Sequence, residues 1–487
     1  MTDDRIPGRQ RTGGAGLRLA AVGWILYWAA RAPDAGQWDS FDYLKQIVTH
    51  HPSDLGFGRP IFLGYNIALW EATKKALGLE TPAVASVAVA ATVALGGLGV
   101  FLFHRAARRL LGPRGAALAA LSLLLSPVYA LYSGYVMTEV PMLVALLGAV
   151  VVLLEGERRS EPARELTAGV LFGLSVGIRE QAVVWVGAFL WLFWVLRPGS
   201  RARLGAIARF GAAAAVMTLV PVVALAFGDS ARFAARLETW LRVIPTEEAQ
   251  FARNLQASLL YLFATAPAAW LALAGGAAWR LVSRLRRAPH AAPAVPPVPH
   301  SGWGALCCLA LPVASLWRDA DVQIHPRYLL VALPAALVLC AGLYRRWFPS
   351  DGSAAVWAVL HLALFGVAQV PSQLIRQVQV ERKAYVRMVS ERIPSEALIV
   401  AGGYSPMLDY YRIVGNRPGW TILWSGWEWS REKARATIED ALARGRPVYI
   451  CDGPYAWLNF ELERLDVYEI VQGREADHVA PGLTRIR

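Results

Sequence analysis

The sequence predicts a polytopic α-helical membrane protein of about eleven transmembrane helices followed by a small C-terminal α/β domain, and three observations predict it. Its 487 residues are 55% hydrophobic and only 17% charged, with 19 Trp, a balance too apolar for an ordinary soluble protein. Apolar runs of membrane-crossing length recur between residues 19 and 371. Arginine collects in alternate short connections between those runs, the asymmetry by which a membrane protein fixes its orientation.

Arg5, Arg9, Arg11 and Arg18 precede a short apolar run from Leu19 to Ala30, which reads as a first span leaving the cytoplasm. Ala30-Arg31-Ala32 also resembles a signal-cleavage site, and under either reading the residues that follow face outward. Further spans are expected near 83–104, 115–132, 136–154, 166–178, 182–196, 207–227, 257–280, 302–317, 328–344 and 353–371. The clusters Arg105/Arg108/Arg109/Arg114, Arg158/Arg159/Arg164, Arg197/Arg201/Arg203/Arg209, Arg280/Arg284/Arg286/Arg287 and Arg345/Arg346 all fall inside on this topology. The loops at 33–82, 133–135, 179–181, 228–256 and 318–327, and everything after 372, then face out. This gives a transmembrane domain over 1–372, with its first outer loop at 33–82, and a soluble extracytoplasmic domain over 373–487. The expected location is the cytoplasmic (inner) membrane, with the N-terminus cytoplasmic.

The formal charge of +13 is accounted for by these inner loops and gives no reason to invoke nucleic acid. Cys307, Cys308 and Cys340 lie in apolar spans and Cys451 stands alone in the polar tail, with neither a disulfide framework nor zinc-ligand spacing. The stretch 288–300 is a proline-rich inner linker. Past 373, Ala397–Ala401, Thr421–Trp424 and Val448–Cys451 read as strands with helices between them, notably Ser430–Arg444, so a mainly parallel sheet is expected. Gly402-Gly403 resembles the start of a phosphate loop without its full fingerprint.

Chemistry is sought first at Asp39 and Asp42. A carboxylate beside a bilayer is costly to desolvate and usually meets a wet cavity or a partner. If 38–48 is helical, the two acids share one face, and Phe41, Leu44 and Val48 form an apolar stripe suited to a lipid surface. Lys45, His50, His51 and Arg59 follow in the same loop and suit a lipid phosphate or headgroup anchoring. An amphipathic run from Ile61 to Lys75 reads as an interfacial helix. Glu139, in Tyr135-Val136-Met137-Thr138-Glu139-Val140-Pro141, opens a span at its outer end, where Thr138 and Glu139 also suit a helix start. Arg179 lies in a tight outer turn. His325-Pro326-Arg327-Tyr328 opens another span, and the planar fork of Arg327 matches phosphate oxygens. These residues are distant in sequence, yet the topology puts them all at one membrane face.

Together they resemble the GT-C superfamily of membrane glycosyltransferases, whose branches include protein O-mannosyltransferases and aminoarabinose transferases. The resemblance covers about residues 17–345. It rests on Asp39-Ser40-Phe41-Asp42 in the first outer loop, the interfacial helix that follows, Thr138-Glu139-Val140-Pro141 at the start of a middle span, and Arg327-Tyr328 at the outer face. The spacing of the acids departs from the adjacent pair common in those branches, so both Asp39 and Asp42 stand as candidates for the base.

The resemblance implies an inverting transfer of a sugar from a polyprenyl-phosphate carrier to an acceptor hydroxyl outside the cytoplasm. The lipid-linked sugar is a co-substrate, and the acceptor is a glycan, a lipid or a protein. Asp39, Asp42 and Glu139 form the catalytic set. Lys45, His50, His51, Arg59, Arg179, His325, Arg327 and Tyr328 form the substrate- and phosphate-binding set. A divalent metal, if one is used, falls to Asp39 and Asp42, which alone make an incomplete shell. The competing reading is a transporter or flippase of a lipid-linked or envelope substrate, which the same composition and topology would serve.

Overall fold

The computed structural model describes residues 13–33, 35–36, 38–50, 59–155, 160–197, 199–228, 263–286, 326–415, 419–423, 431–454 and 466–487, with Ala234 and Leu462 between them. Packing divides the chain into two units. Met1–Arg31, Asp54–Tyr65 and Ala90–Ser372 form the first, and Ala32–Ser53, Asn66–Val89 and Gln373–Arg487 form the second.

The first unit is helical. Among the described residues, three stretches are long and apolar enough to cross a membrane: Thr81–Leu124, Ser200–Val223 and Asp351–Arg392. The expected span at 302–317, the linker 288–300 and most of the loop 228–256 lie outside the described residues. The helix Val84–Leu124 is broken at Gly112 (φ 74°, ψ 176°), which a side chain could not adopt cheaply, and Pro113 restarts it. Two helices therefore meet at a Gly-Pro corner, so the residues around Arg105–Arg109 are helical. The second of them stops at Leu124, short of the expected 132. Ser126 ends the gap by accepting the Tyr129 amide at 3.2 Å, capping a separate short helix, Pro127–Ser133.

The core of this unit forms where the helix Glu161–Ile178 packs against both Glu139–Glu155 and Ser200–Gly228. Glycine permits the approach. A Cβ on Gly169 or Gly173 would run into the backbone carbonyls of Phe210 and Ala214, respectively. Phe172 stacks on Phe210 at 5.4 Å, and Phe189 and Phe193 complete the cluster. At the start of this same helix, Glu165 is fully buried between Arg197 (2.8 Å) and Arg209 (2.6 Å), with Glu161 also paired to Arg197. Two of the arginines read as loop charges thus turn inward onto a carboxylate.

In the second unit, a five-stranded sheet has the order β2-β1-β3-β5-β4, where β1 is Leu398–Val400, β2 Thr421–Leu423, β3 Val448–Cys451, β4 Ala476–Ala480 and β5 Leu483–Ile486. β1 pairs in parallel with β2 and with β3, in register Ile399 to Ile422 and Ile399 to Tyr449. The three strands expected from sequence are these three, and the helix expected at Ser430–Arg444 is Arg431–Ala443. The antiparallel hairpin β4–β5 is additional to the three expected strands, and Pro481-Gly482, with Gly482 at φ 70°, is its turn signal. Leu398, Val400, Leu423, Ile438, Val448 and Ile450 form the sheet's buried core.

Candidate functional site

In the first unit, three predicted residues come together. Glu139 begins the helix Glu139–Glu155, Arg179 caps the end of Glu161–Ile178, and Arg327 sits in the turn Pro326–Val331. Arg179 Nη1 donates to Glu139 Oε1 at 2.6 Å and to Thr138 Oγ1 at 2.9 Å, while its Nε donates to Gln181 Oε1 at 2.8 Å. Arg327 Nε stands 3.7 Å from the same Glu139 oxygen. Glu139 is 1% exposed and Arg179 2%, so neither is the solvated helix-start or turn charge that its position alone would suit. One buried carboxylate thus faces two guanidiniums. Both ends of the helix Glu161–Ile178 carry a buried ionic cluster, Glu165 near its start and Arg179 at its close, about 20 Å apart at 1.5 Å per residue.

Arg59, in a left-handed backbone conformation (φ 46°), belongs to this unit as well. The Glu180 side chain reaches solvent; the surrounding protein's desolvation pushes its carboxyl up, but Arg59, then Arg179, then its own backbone amide pull it down, and together they hold it below the ordinary carboxylate value. Glu180, Gln181 and Thr138 were not among the predicted site residues, although all three adjoin residues that were.

The second unit holds the other acids. Asp39 and Asp42 lie one turn apart on the helix Trp38–Thr49 and share a face, Asp39 half-buried. Asp42 Oδ2 accepts from Gln46 Nε2 at 2.6 Å. Lys45 pairs with Asp409, and exposed His50 meets Glu71 at 3.2 Å. The stripe assigned to lipid is covered by protein instead. Phe41 and Leu44 are buried against the helix Ser405–Val414, with the Phe41 and Tyr410 ring centroids 5.8 Å apart. Nothing in the sequence ties residue 41 to residue 410, so Asp409 and Tyr410 were not foreseeable.

His51 and His325 lie outside the described residues, and of Tyr328 only the backbone turn is described. No group of three or more His, Cys, Asp or Glu suited to a metal gathers among the described residues. Asp39 and Asp42 on one helix offer fewer oxygens than a hard divalent cation takes, so they do not fit a resident ion by themselves. The glycine pair after β1 forms a tight turn, Gly402–Tyr404, followed by the helix Ser405–Val414. Tyr404 and Tyr385 close on Gly453 there, since a Cβ on that glycine would meet both rings at 2.7–2.8 Å.

A family model described as dolichyl-phosphate-mannose-protein mannosyltransferase matches residues 83–225. No curated protein matches the chain. Among solved structures the chain is similar to ArnT from Cupriavidus metallidurans in the apo state, with TM-score 0.57, 15% identity and 97% of both chains covered. It is also similar to the Archaeoglobus fulgidus oligosaccharyltransferase tethered with an acceptor peptide (TM-score 0.51, 12% identity, covering 97% of this chain and 74% of that one). A third is the arabinofuranosyltransferase AftD from Mycobacteria (TM-score 0.52, 12% identity, covering 96% of this chain and 39% of that one). At these identities the likeness is one of fold.

Proposed function

Because the chain carries the GT-C membrane-glycosyltransferase fold, we propose that it moves a sugar from a polyprenyl-phosphate carrier to an acceptor hydroxyl on the extracytoplasmic face, with inversion at the anomeric carbon. The observation that carries this reading is the buried Glu139–Arg179–Arg327 cluster. Two guanidiniums that converge in a desolvated site offer the charge and the planar donors that phosphate oxygens accept. The family model matched over residues 83–225 is described by a dolichyl-phosphate-mannose donor, which supports the same donor class.

The chemistry divides into two demands. As the bond between the anomeric carbon and the phosphate oxygen breaks, its electron pair passes to that oxygen, and Arg327 and Arg179 stabilise the charge. The acceptor hydroxyl oxygen attacks the anomeric carbon from the opposite side and gives its proton to a carboxylate, Asp39. Asp42, held by Gln46, orients the acceptor or the base. Glu139 keeps Arg179 aimed.

Transfer from polyprenyl-phosphate sugars to extracted envelope material tests the proposal. Asp39→Asn is expected to lower kcat by about 100-fold or more, the usual size of a general-base contribution, with donor KM little changed. Arg327→Met is expected to weaken donor binding and transfer together. Wild-type protein that moves no sugar from any such donor, yet carries the lipid-linked sugar across vesicles, would overturn the proposal in favour of a flippase.

A further inference from the structure

We infer that Asp409 is a positioning residue for the carboxylate helix: through Lys45 it fixes the rotation at which the helix Trp38–Thr49 presents Asp39 and Asp42. The inference rests on the proposed role of Asp39. Asp409 is itself held first, because Arg412, one turn on, donates through Nε to Asp409 Oδ1 at 2.8 Å. That leaves Oδ2 for the Lys45 ammonium. The side chains are 35% and 18% exposed, so the pair is partly shielded and less screened than one on open surface.

Two further contacts seat the same helix. Arg382 donates to the Gly36 carbonyl at 2.6 Å, just before the helix begins, and its guanidinium lies 5.7 Å from the Phe41 ring centroid. Phe41 meets Tyr410, whose hydroxyl burial holds in the neutral form by pushing its pKa up. At 100° per residue, Phe41, Leu44, Lys45 and Val48 centre about 140° around the helix from the midpoint of Asp39 and Asp42. What packs on one face therefore sets where the acids point on another. Apolar contact is non-directional and tolerates a small roll, whereas an ion pair at a fixed azimuth does not.

Lys45 was also read as a ligand for lipid phosphate, and the two roles separate in one experiment. Sugar transfer is measured for wild type, Asp409→Asn, Asp409→Glu, Lys45→Met and the double variant Lys45→Met/Asp409→Asn, alongside amide hydrogen exchange over residues 38–49 and thermal unfolding of the full chain. The inference expects Asp409→Asn to lower kcat about tenfold, the scale of a sub-ångström misplacement, with donor KM within about twofold. Exchange over 38–49 should quicken at an unchanged unfolding temperature. Asp409→Glu should recover most of the rate, and the double variant should be no worse than the poorer single variant. Wild-type kinetics in Asp409→Asn with a raised donor KM in Lys45→Met would overturn it and give Lys45 to the phosphate. Equal loss in Asp409→Asn and Asp409→Glu with a lowered unfolding temperature would overturn it as merely structural. If wild type transfers nothing, the role of Asp39 falls. The exchange rates then still judge the tether: quickened exchange in Asp409→Asn supports it, and unchanged exchange ends it.

Discussion

Glu139 shows how burial changes what a charge means. In sequence, an acid in the first turn of a helix is an ordinary partner for the helix dipole. At 1% exposure it pairs with Arg179 at 2.6 Å and faces Arg327 at 3.7 Å. Glu139→Ala is therefore expected to cost about 3–5 kcal/mol, the range for stripping one partner from a buried pair, read as a fall in thermal unfolding in detergent. A loss no larger than that of an exposed control such as Glu391→Ala would mean that solvent already screens the cluster. Glu180 gives a pH signature nearby. Its folded carboxyl is held below the ordinary 4.5, so its contribution is fully present above that pH and is lost as pH falls through the lower folded value. Stability curves of wild type and Glu180→Gln are expected to differ at neutral pH and converge in acid below that value. A constant gap down to pH 2 would remove Arg59 and Arg179 as the cause.

At the level of elements, apolar runs locate helices well and their ends poorly. The runs beginning near 83 and 136 correspond to the helices that start at Val84 and Glu139, because hydrophobic burial is written in local composition. The break at Gly112 was legible only as a loop, since the arginines around it read as topology and hid that they continue a helix. The hairpin β4–β5 was missed because its strands are short and mixed, with Asp477, His478 and Arg485 among them, and its fifth-strand role depends on β3. Packing made the glycines of Glu161–Ile178 decisive. Gly173→Val would put its branched side chain against the Ala214 carbonyl and disturb the contact from Thr218, which donates to Gly173 O at 3.3 Å. A cost of about 1–3 kcal/mol is expected from such overpacking, measured by thermal unfolding, with Gly148→Val, which faces only Leu171 at 3.5 Å, as the mild control.

Across the whole molecule, the sequence marked candidate site residues more fully than the contacts that support them. Glu139, Arg179 and Arg327 were named from charge at span ends and stand together in one unit. Asp39 and Asp42 were named the same way, but the face beneath them was given to lipid because an apolar stripe in a membrane protein carries no mark of its partner. Residues far down the chain cover it. Phe41, Leu44 and Ile47 are each 1% exposed or less, and the cover includes the helix Ser405–Val414. This changes the expected result of removing the C-terminal segment. If that segment only chose the acceptor, a chain ending at Arg392 would transfer sugar with altered preference. With the helix Trp38–Thr49 unseated, such a chain is instead expected to lose transfer to every acceptor by at least about tenfold. It should still bind the polyprenyl-phosphate donor, because the arginines proposed to hold the phosphate belong to the other unit. Donor binding by the truncated chain in nanodiscs, measured beside transfer to several acceptors, separates the cases. Retained transfer with a changed acceptor order would make the segment a selector and return the apolar stripe to the membrane surface.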